Sequence, residues 1–370
     1  MAVLSIAAHS TVCAATFTVL HSFAGGNDGA HPYAGIILAP DNNLYGTTFS
    51  GGANNSGTVY KLSLTGSEQV INDEVYSPAG TLLADPHLNL YGTAIGPDYG
   101  TVFRIDAGGK ETVLHTFSGQ PDGEIPEAGL VTDEAGNLYG TTWSGGVDGY
   151  GTVFEIHYPA PTSKTESVLY SFKGQPNDGA GSYSTLIRDQ SGNLYGTTNV
   201  GGSQNEGTVF TLSPDGAEAV IFEFSNDSGF YPRGNLIANA NGNLYGTTSE
   251  GGPYGGQGTV YKITPDGNET ILYAFGTNGP WDGGTPYAGV IADTKGNLYG
   301  TTTGGGAHSA GTVYRLSTDG KEKILYSFTG YADGWGPMGG LTWIGTGTLC
   351  GTTNGGGAYG LGTVFVLALK

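Results

Sequence analysis

Apolar residues along this chain come in short runs of four to eight, broken by clusters of Gly, Asp, Asn and Pro. Val, Ile, Leu, Tyr, Phe and Thr dominate the runs, which is the composition of β-strands separated by tight turns. No segment shows a sustained 3.6-residue apolar period between helix caps, so the pattern predicts very little helix. The runs recur in a fixed order. An "AGLVTD"-type run (Ala128 to Asp133) precedes "NLYGTT" (Asn43 to Thr48 in its first copy). A glycine-rich break follows, then "GTV" plus an aromatic residue (Gly57 to Tyr60), a "PDG"-type turn and a run such as "ETVLHTF" (Glu111 to Phe117).

The third position of "NLYGTT" recurs at Tyr45, Tyr91, Tyr139, Tyr195, Tyr245 and Tyr299, and in altered form at Cys350. The step is about 50 residues, the length of a four-stranded propeller blade. Seven such units fill the chain. The expected fold is therefore an all-β, seven-bladed β-propeller with four antiparallel strands per blade. The seventh "GTVF" (Gly362 to Phe365) has no fourth run after it. The chain instead opens with an orphan run, "TFTVLHSF" (Thr16 to Phe23), that matches "ETVLHTF". The strand at 16–23 is thus expected to complete the last blade, 338–370, and close the ring without exposed edges.

Within this scheme "NLYGTT" is the second strand of each blade. Its Leu and Tyr should point to opposite faces of the sheet and fill the two inter-blade gaps. Its Gly should let sheets approach one another near the axis. The "D-x-x-G-N" turns (Asp133 to Asn137, Asp189 to Asn193, Asp293 to Asn297) offer Gly and Asn for positive φ. The links between strands two and three share one face with the links between blades. These loops vary most, so binding is expected there.

The pattern "GNLYGTT…GG…GTVF", with "F.G..DG..P.AGL" between copies, closely resembles the GloVer tandem repeat of choice-of-anchor bacterial proteins. The resemblance covers residues 16 to 370, and six of seven copies carry the Leu-Tyr-Gly-Thr core. It implies a propeller outside the cytoplasm, often with a C-terminal anchoring segment, and no established activity. The unit looks more distantly like blades of sugar-lactonase-type and NHL-type propellers.

Charge narrows the function classes. Thirteen Lys plus Arg against 32 Asp plus Glu give a formal charge of -19. Such a surface repels phosphate backbones and argues against nucleic-acid partners. Residues 1–15, "MAVLSIAAHSTVCAA", read as the second half of a secretory signal peptide with cleavage near Ala14 or Ala15, although the basic start is missing. An extracellular or cell-surface location is expected. No run reaches the roughly 18 apolar residues of a membrane helix. Cys13 and Cys350 form no metal or redox motif. Whether they pair is left open.

Candidate chemistry lies on the loop face. "DG" recurs in the inter-blade links at Asp28, Asp122, Asp178, Asp282 and Asp333, with Asp227 in a shifted form. Pointed at the axis, these carboxylates would suit a hard cation such as calcium. As turn residues they would instead cap the links, and their presence in nearly every blade favours that second role. Trp143, Trp281 and Trp335, with Tyr33, Tyr183, Tyr231, Tyr287 and Tyr331, place aromatic rings on the same face, where they would either grip a ligand or plug the gaps between blades. Aromatic rings beside Asp and Asn are suited to sugars. His31 and His308 also fall in these loops. Neither a metalloprotease, a nucleophile-elbow, a Rossmann nor a P-loop motif is present, and no calcium-loop motif supports a metal. The expected role is a binding scaffold for carbohydrate or another extracellular ligand. The alternatives are a carbohydrate-active hydrolase or lyase, or a lactonase-like enzyme, on the same propeller, and a purely structural module.

Overall fold

A computed structural model describes residues 15–158, 166–253, 255–279 and 281–369. The expected leader and Cys13 lie outside the described residues. The chain forms seven four-stranded antiparallel sheets, six of them with their strands in sequence order. Blade 1 comprises Ile37–Leu38, Leu44–Thr48, Thr58–Leu62 and Glu68–Asn72, and the later blades repeat this layout. In blade 7 the order runs Thr342–Trp343, Thr348–Thr353, Thr363–Ala368 and then Thr16–Ser22. The N-terminal strand pairs antiparallel with the last strand from Thr16↔Ala368 to Ser22↔Thr363. The fold and its closure are those expected. Among the described residues the helical content is one 3-10 turn, Gly26–Asp28.

The repeated phrase builds the walls between blades. Leu44 is buried against Phe23 and Val364 of blade 7, whereas Tyr45 packs with Leu90, Phe103 and Ile105 of blade 2. In every blade but the first, a Phe follows the fourth strand and packs at a steep angle on the third-strand aromatic of the next blade; after blade 1, Val75 joins the cluster of Phe103 instead. Phe117 and Phe154 have centroids 5.1 Å apart, as do Phe172 and Phe210. Each buried ring contributes about 2–3 kcal/mol by apolar transfer.

The glycine of "NLYGTT" has a different cause from the one expected. A Cβ on Gly46 would lie 2.4 Å from Tyr60 Oη, and on Gly140 2.5 Å from Phe154 Cζ. Gly46 and Tyr60 are register partners in one blade. The glycine therefore makes room for an aromatic ring on the neighbouring strand, not for an adjacent sheet. The two threonines divide their labour. The second pairs with the third strand, as Thr198 Oγ1 does with Thr208 Oγ1 at 2.8 Å. In five blades the first donates to the next blade's innermost segment, as Thr247 does to the Ala288 carbonyl at 2.9 Å and Thr352 to Ala34 at 3.1 Å across the closure, whereas Thr47 and Thr301 are buried without a partner.

The turn asparagine also differs from expectation. Positive φ falls on Gly136, Gly192 and Gly296, not on the following Asn. Asn137 instead donates through Nδ2 to Asp133 at 3.0 Å, and Tyr139 Oη donates to the same carboxylate at 3.1 Å. The aspartate ties turn and strand together.

Candidate functional site

The first strand of each blade is innermost, and the residues just before it line the axial opening on the loop face. A common backbone device aims them inward. In every blade a residue with positive φ stands two positions ahead of the lining residue: His31, Ser77, Ile125, Gly181, Tyr231, Thr285 and Gly336. In all blades but one, which has Ser182, a proline follows it. A non-glycine residue held left-handed costs about 1–2 kcal/mol, so this kink is maintained by its surroundings. The proline packs against the "GTV" glycine of the preceding blade, where a Cβ on Gly100 would lie 2.4 Å from Pro126 Cδ.

The side chains so presented differ from blade to blade, with Tyr at three of the seven places. Around the ring they are Tyr33, Ala79, Glu127, Tyr183, Arg233, Tyr287 and Met338, and they line an axial cavity of about 90 Å³. Behind them a second ring reads Gly35, Thr81, Gly129, Thr185, Asn235, Gly289 and Gly340. Arg233 lies between two phenol rings, 5.1 Å from the Tyr183 centroid and 4.8 Å from that of Tyr287. Trp143 stacks on the far side of this group, 4.4 Å from Tyr183 and inclined by 22°. Trp143, Tyr183, Arg233 and Tyr287 thus form one stack that runs from the loops to the axis.

The electrostatics of the mouth follow from burial. Desolvation pushes the Glu127 carboxyl above its ordinary range, and Arg233 only partly opposes it. Burial, then Glu127 and Tyr287, push the Tyr33 phenol up to about 12. Arg233 makes no ion pair within 4.0 Å among the described residues, and its buried Nε lacks a hydrogen-bond partner. A guanidinium held between two rings with donors unspent is arranged to receive an anion.

The expected site residues divide into groups. Tyr33 and Tyr287 line the mouth and Trp143 supports it. The five aspartates are absent from the axial lining and form clasps between the link and the preceding outer strand. Asp178 accepts from Tyr170 Oη at 2.8 Å and from the backbone N–H of Lys173 at 2.8 Å. Asp282 and Asp333 repeat this with Tyr273 and Tyr326. Asp28 and Asp122 face His21 and His115 at 3.0 and 3.1 Å. In the remaining long link, the outer strand carries Phe222, which has no polar end, and Ser228 stands in the aspartate's place, accepting from Ser225 N. His31 occupies the kink, its Nδ1 3.0 Å from the Asn354 carbonyl. His308, Trp281 and Trp335 are exposed on outer loops.

Glu127, Tyr183 and Arg233 complete the mouth, and of these Glu127 and Arg233 were not among the sequence expectations. They are visible once the seven segments of the "PEAGL" type are aligned, because the second position alone ranges over charged, aromatic and aliphatic residues, while the following positions stay small or polar (Ala, Gly or Ser, then Gly, Thr or Asn) and the last stays aliphatic.

Fold and site together define a seven-bladed β-propeller with a repeated wall and a single non-repeating axial mouth. The chain belongs to the family described as the Gloeobacter/Verrucomicrobia repeat, which matches residues 8–157, 96–292 and 256–370. No curated protein sequence matches the chain significantly. Among solved structures, a virginiamycin B lyase from Staphylococcus aureus is similar at a TM-score of 0.62. It is 14% identical, with 96% of this chain and 99% of that one covered. The extracellular domain of a one-component system from B. thetaiotaomicron is similar at 0.61 and 12% identity, covering 96% of this chain and 42% of that one. At these identities the likeness shows the propeller fold.

Proposed function

We propose that the protein is an extracellular binding module whose axial mouth takes a saccharide bearing a carboxylate. The observation that carries this reading is the Tyr183–Arg233–Tyr287 stack inside an otherwise repetitive ring. Phenol and indole faces cover the C–H faces of sugar rings, and the guanidinium pairs a carboxylate bidentately. The cavity's small volume argues for one inserted group, with the rest of the ligand on the loop face, because engulfed ligands need roughly 300 Å³ or more. An extracellular setting is supported by the leader-like first residues.

The test is a titration of uronate-containing and neutral oligosaccharides against the wild type and Arg233→Ala. The expected result is uronate binding that weakens at least about tenfold in the variant, roughly 1.4 kcal/mol, and that weakens with salt. A folded wild type that ignores all of them at millimolar concentration contradicts the proposal.

A second reading rests on Glu127. A non-repeating carboxyl held toward its protonated form beside an arginine is a recognisable acid–base arrangement. A hydrolase, lyase or lactonase would use it. Product formation from saccharides or lactones that Glu127→Gln abolishes, with binding retained, would favour this reading.

A further inference from the structure

Outside the axial mouth, the inter-blade clasps contain a second kind of chemistry. Each fourth strand from blade 1 to blade 6 begins with a glutamate: Glu68, Glu111, Glu166, Glu218, Glu269 and Glu322. The outer strands are strongly displaced along the ring, so this end reaches the preceding junction. Gly66, beside Glu68, meets the Leu20 carbonyl of blade 7 in the same way. At two junctions the glutamate joins a histidine and an aspartate. The ligand atoms of His21, Asp28 and Glu68 all lie within 4.8 Å of one another, and so do those of His115, Asp122 and Glu166.

We propose that the junctions between blades 7 and 1 and between blades 2 and 3 each bind a first-row divalent transition ion of the zinc class. Each site draws one ligand from the outer strand of one blade, one from the link and one from the outer strand of the next blade. A neutral imidazole nitrogen with two carboxylate oxygens is a borderline donor set that suits zinc, cobalt or nickel. Calcium takes six to eight oxygen ligands and would be poorly served. A tetrahedral ion needs ligand atoms roughly 3.4 Å apart, so the triads are near the required spacing, with water completing the shell. The histidines and aspartates are half-buried, the His21 and Asp28 side chains being 17% and 21% exposed and those of His115 and Asp122 17% and 15%, while Glu68 is half-buried and Glu166 buried. The site is thus both reachable and shielded. The net charge of -19 raises the local concentration of cations.

The molecule supplies its own control. At three other junctions the histidine's place is taken by Tyr170, Tyr273 or Tyr326, whose hydroxyl donates to the clasp aspartate at 2.8, 2.8 and 2.9 Å. A neutral phenol serves the clasp but not the ion. His21→Tyr and His115→Tyr should therefore keep the fold and lose the metal. At the first site the ion would also fasten the closing N-terminal strand to blade 1.

The experiment is equilibrium dialysis of the untagged chain against zinc at about 100 µM, with bound metal counted by mass spectrometry. Cobalt d–d absorption reports the ligand set, and melting curves report folding. The expected result is two ions more in the wild type than in the His21→Tyr/His115→Tyr double variant, and one more than in either single variant. Zinc should raise the melting temperature of the wild type but not of the double variant. Should a tyrosine variant fail to fold, His→Gln at the same position replaces it. Equal metal content in the wild type and folded double variant overturns the proposal, as does a wild type that retains no zinc. Loss of an ion in only one single variant overturns the assignment at the other junction.

Discussion

At the residue scale, the repeat's exceptions reveal what its invariant positions do. The third-strand aromatic is Phe in blades 2, 3, 4 and 7 but Tyr60, Tyr261 and Tyr314 in the others, all fully buried. Their hydroxyls have no hydrogen-bond partner. A buried unsatisfied hydroxyl costs about 1–3 kcal/mol, so Tyr314→Phe should raise stability by about 1 kcal/mol. Chemical denaturation checks this; a destabilised variant would show that the hydroxyl is used. Cys350 is a paired exception. Where five other blades have a tyrosine bonded to a turn aspartate, and blade 5 has Tyr245 bonded to Asn239, blade 7 has Cys350 and, at the turn residue's position, Ile344. The phenol and its acceptor were lost together, and the thiol packs with Phe23, Ile36 and Tyr60. Burial pushes that thiol up to about 12, which keeps it unreactive. Cys350→Tyr should cost about 1–3 kcal/mol through overpacking, and adding Ile344→Asp should recover part of it.

At the element scale, the turn aspartates and the outer-strand glutamates give the ring a particular pH response. Burial pushes Glu218, Glu269 and Glu322 up to about 7, with Asp178 facing Glu218 and Asp282 facing Glu322. A carboxyl raised from 4.5 binds more protons in the folded state between those values, so stability falls as pH rises through that window. The turn aspartates act oppositely. Burial pushes Asp85, Asp133, Asp189 and Asp293 up, but hydrogen bonds from the turn Asn and Tyr outweigh it and hold them below 3.8. Their contribution is present above 3.8 and lost at lower pH. Melting temperature should therefore peak near pH 4–5 and be lower at pH 8. A peak at pH 8 would refute this balance, and Glu269→Gln should flatten the decline. The closing strand, Thr16–Ser22, is the other element with a clear consequence. Removing it bares the edge of Thr363–Ala368, an apolar strand, and light scattering should show association of the shortened chain.

At the scale of the whole molecule, the architecture was legible because packing repeats seven times, so each strand is specified by several copies of its pattern. The N-terminal closure was readable for the same reason: "TFTVLHSF" has internal counterparts. The mouth was harder to read. Tyr33 and Tyr287 stand out as aromatic loop residues, but Glu127 and Arg233 are single charged residues whose meaning comes only from the kink that turns them to the axis. The recurring aspartates are conspicuous in the sequence for a related reason: a feature present at most junctions serves the junctions.

Repeated residues build this ring, and we propose that its non-repeating position binds. The most direct measurement is an alanine scan by calorimetric titration with a uronate oligosaccharide. It compares Tyr33, Glu127, Tyr183, Arg233 and Tyr287 at the mouth with Asp178 and Asp282 at the clasps. Affinity losses should be confined to the mouth, largest for Arg233→Ala, while the clasp variants lose about 1–3 kcal/mol of stability and keep their affinity. Affinity that survives Arg233→Ala and Tyr183→Ala but falls in folded clasp variants would contradict it.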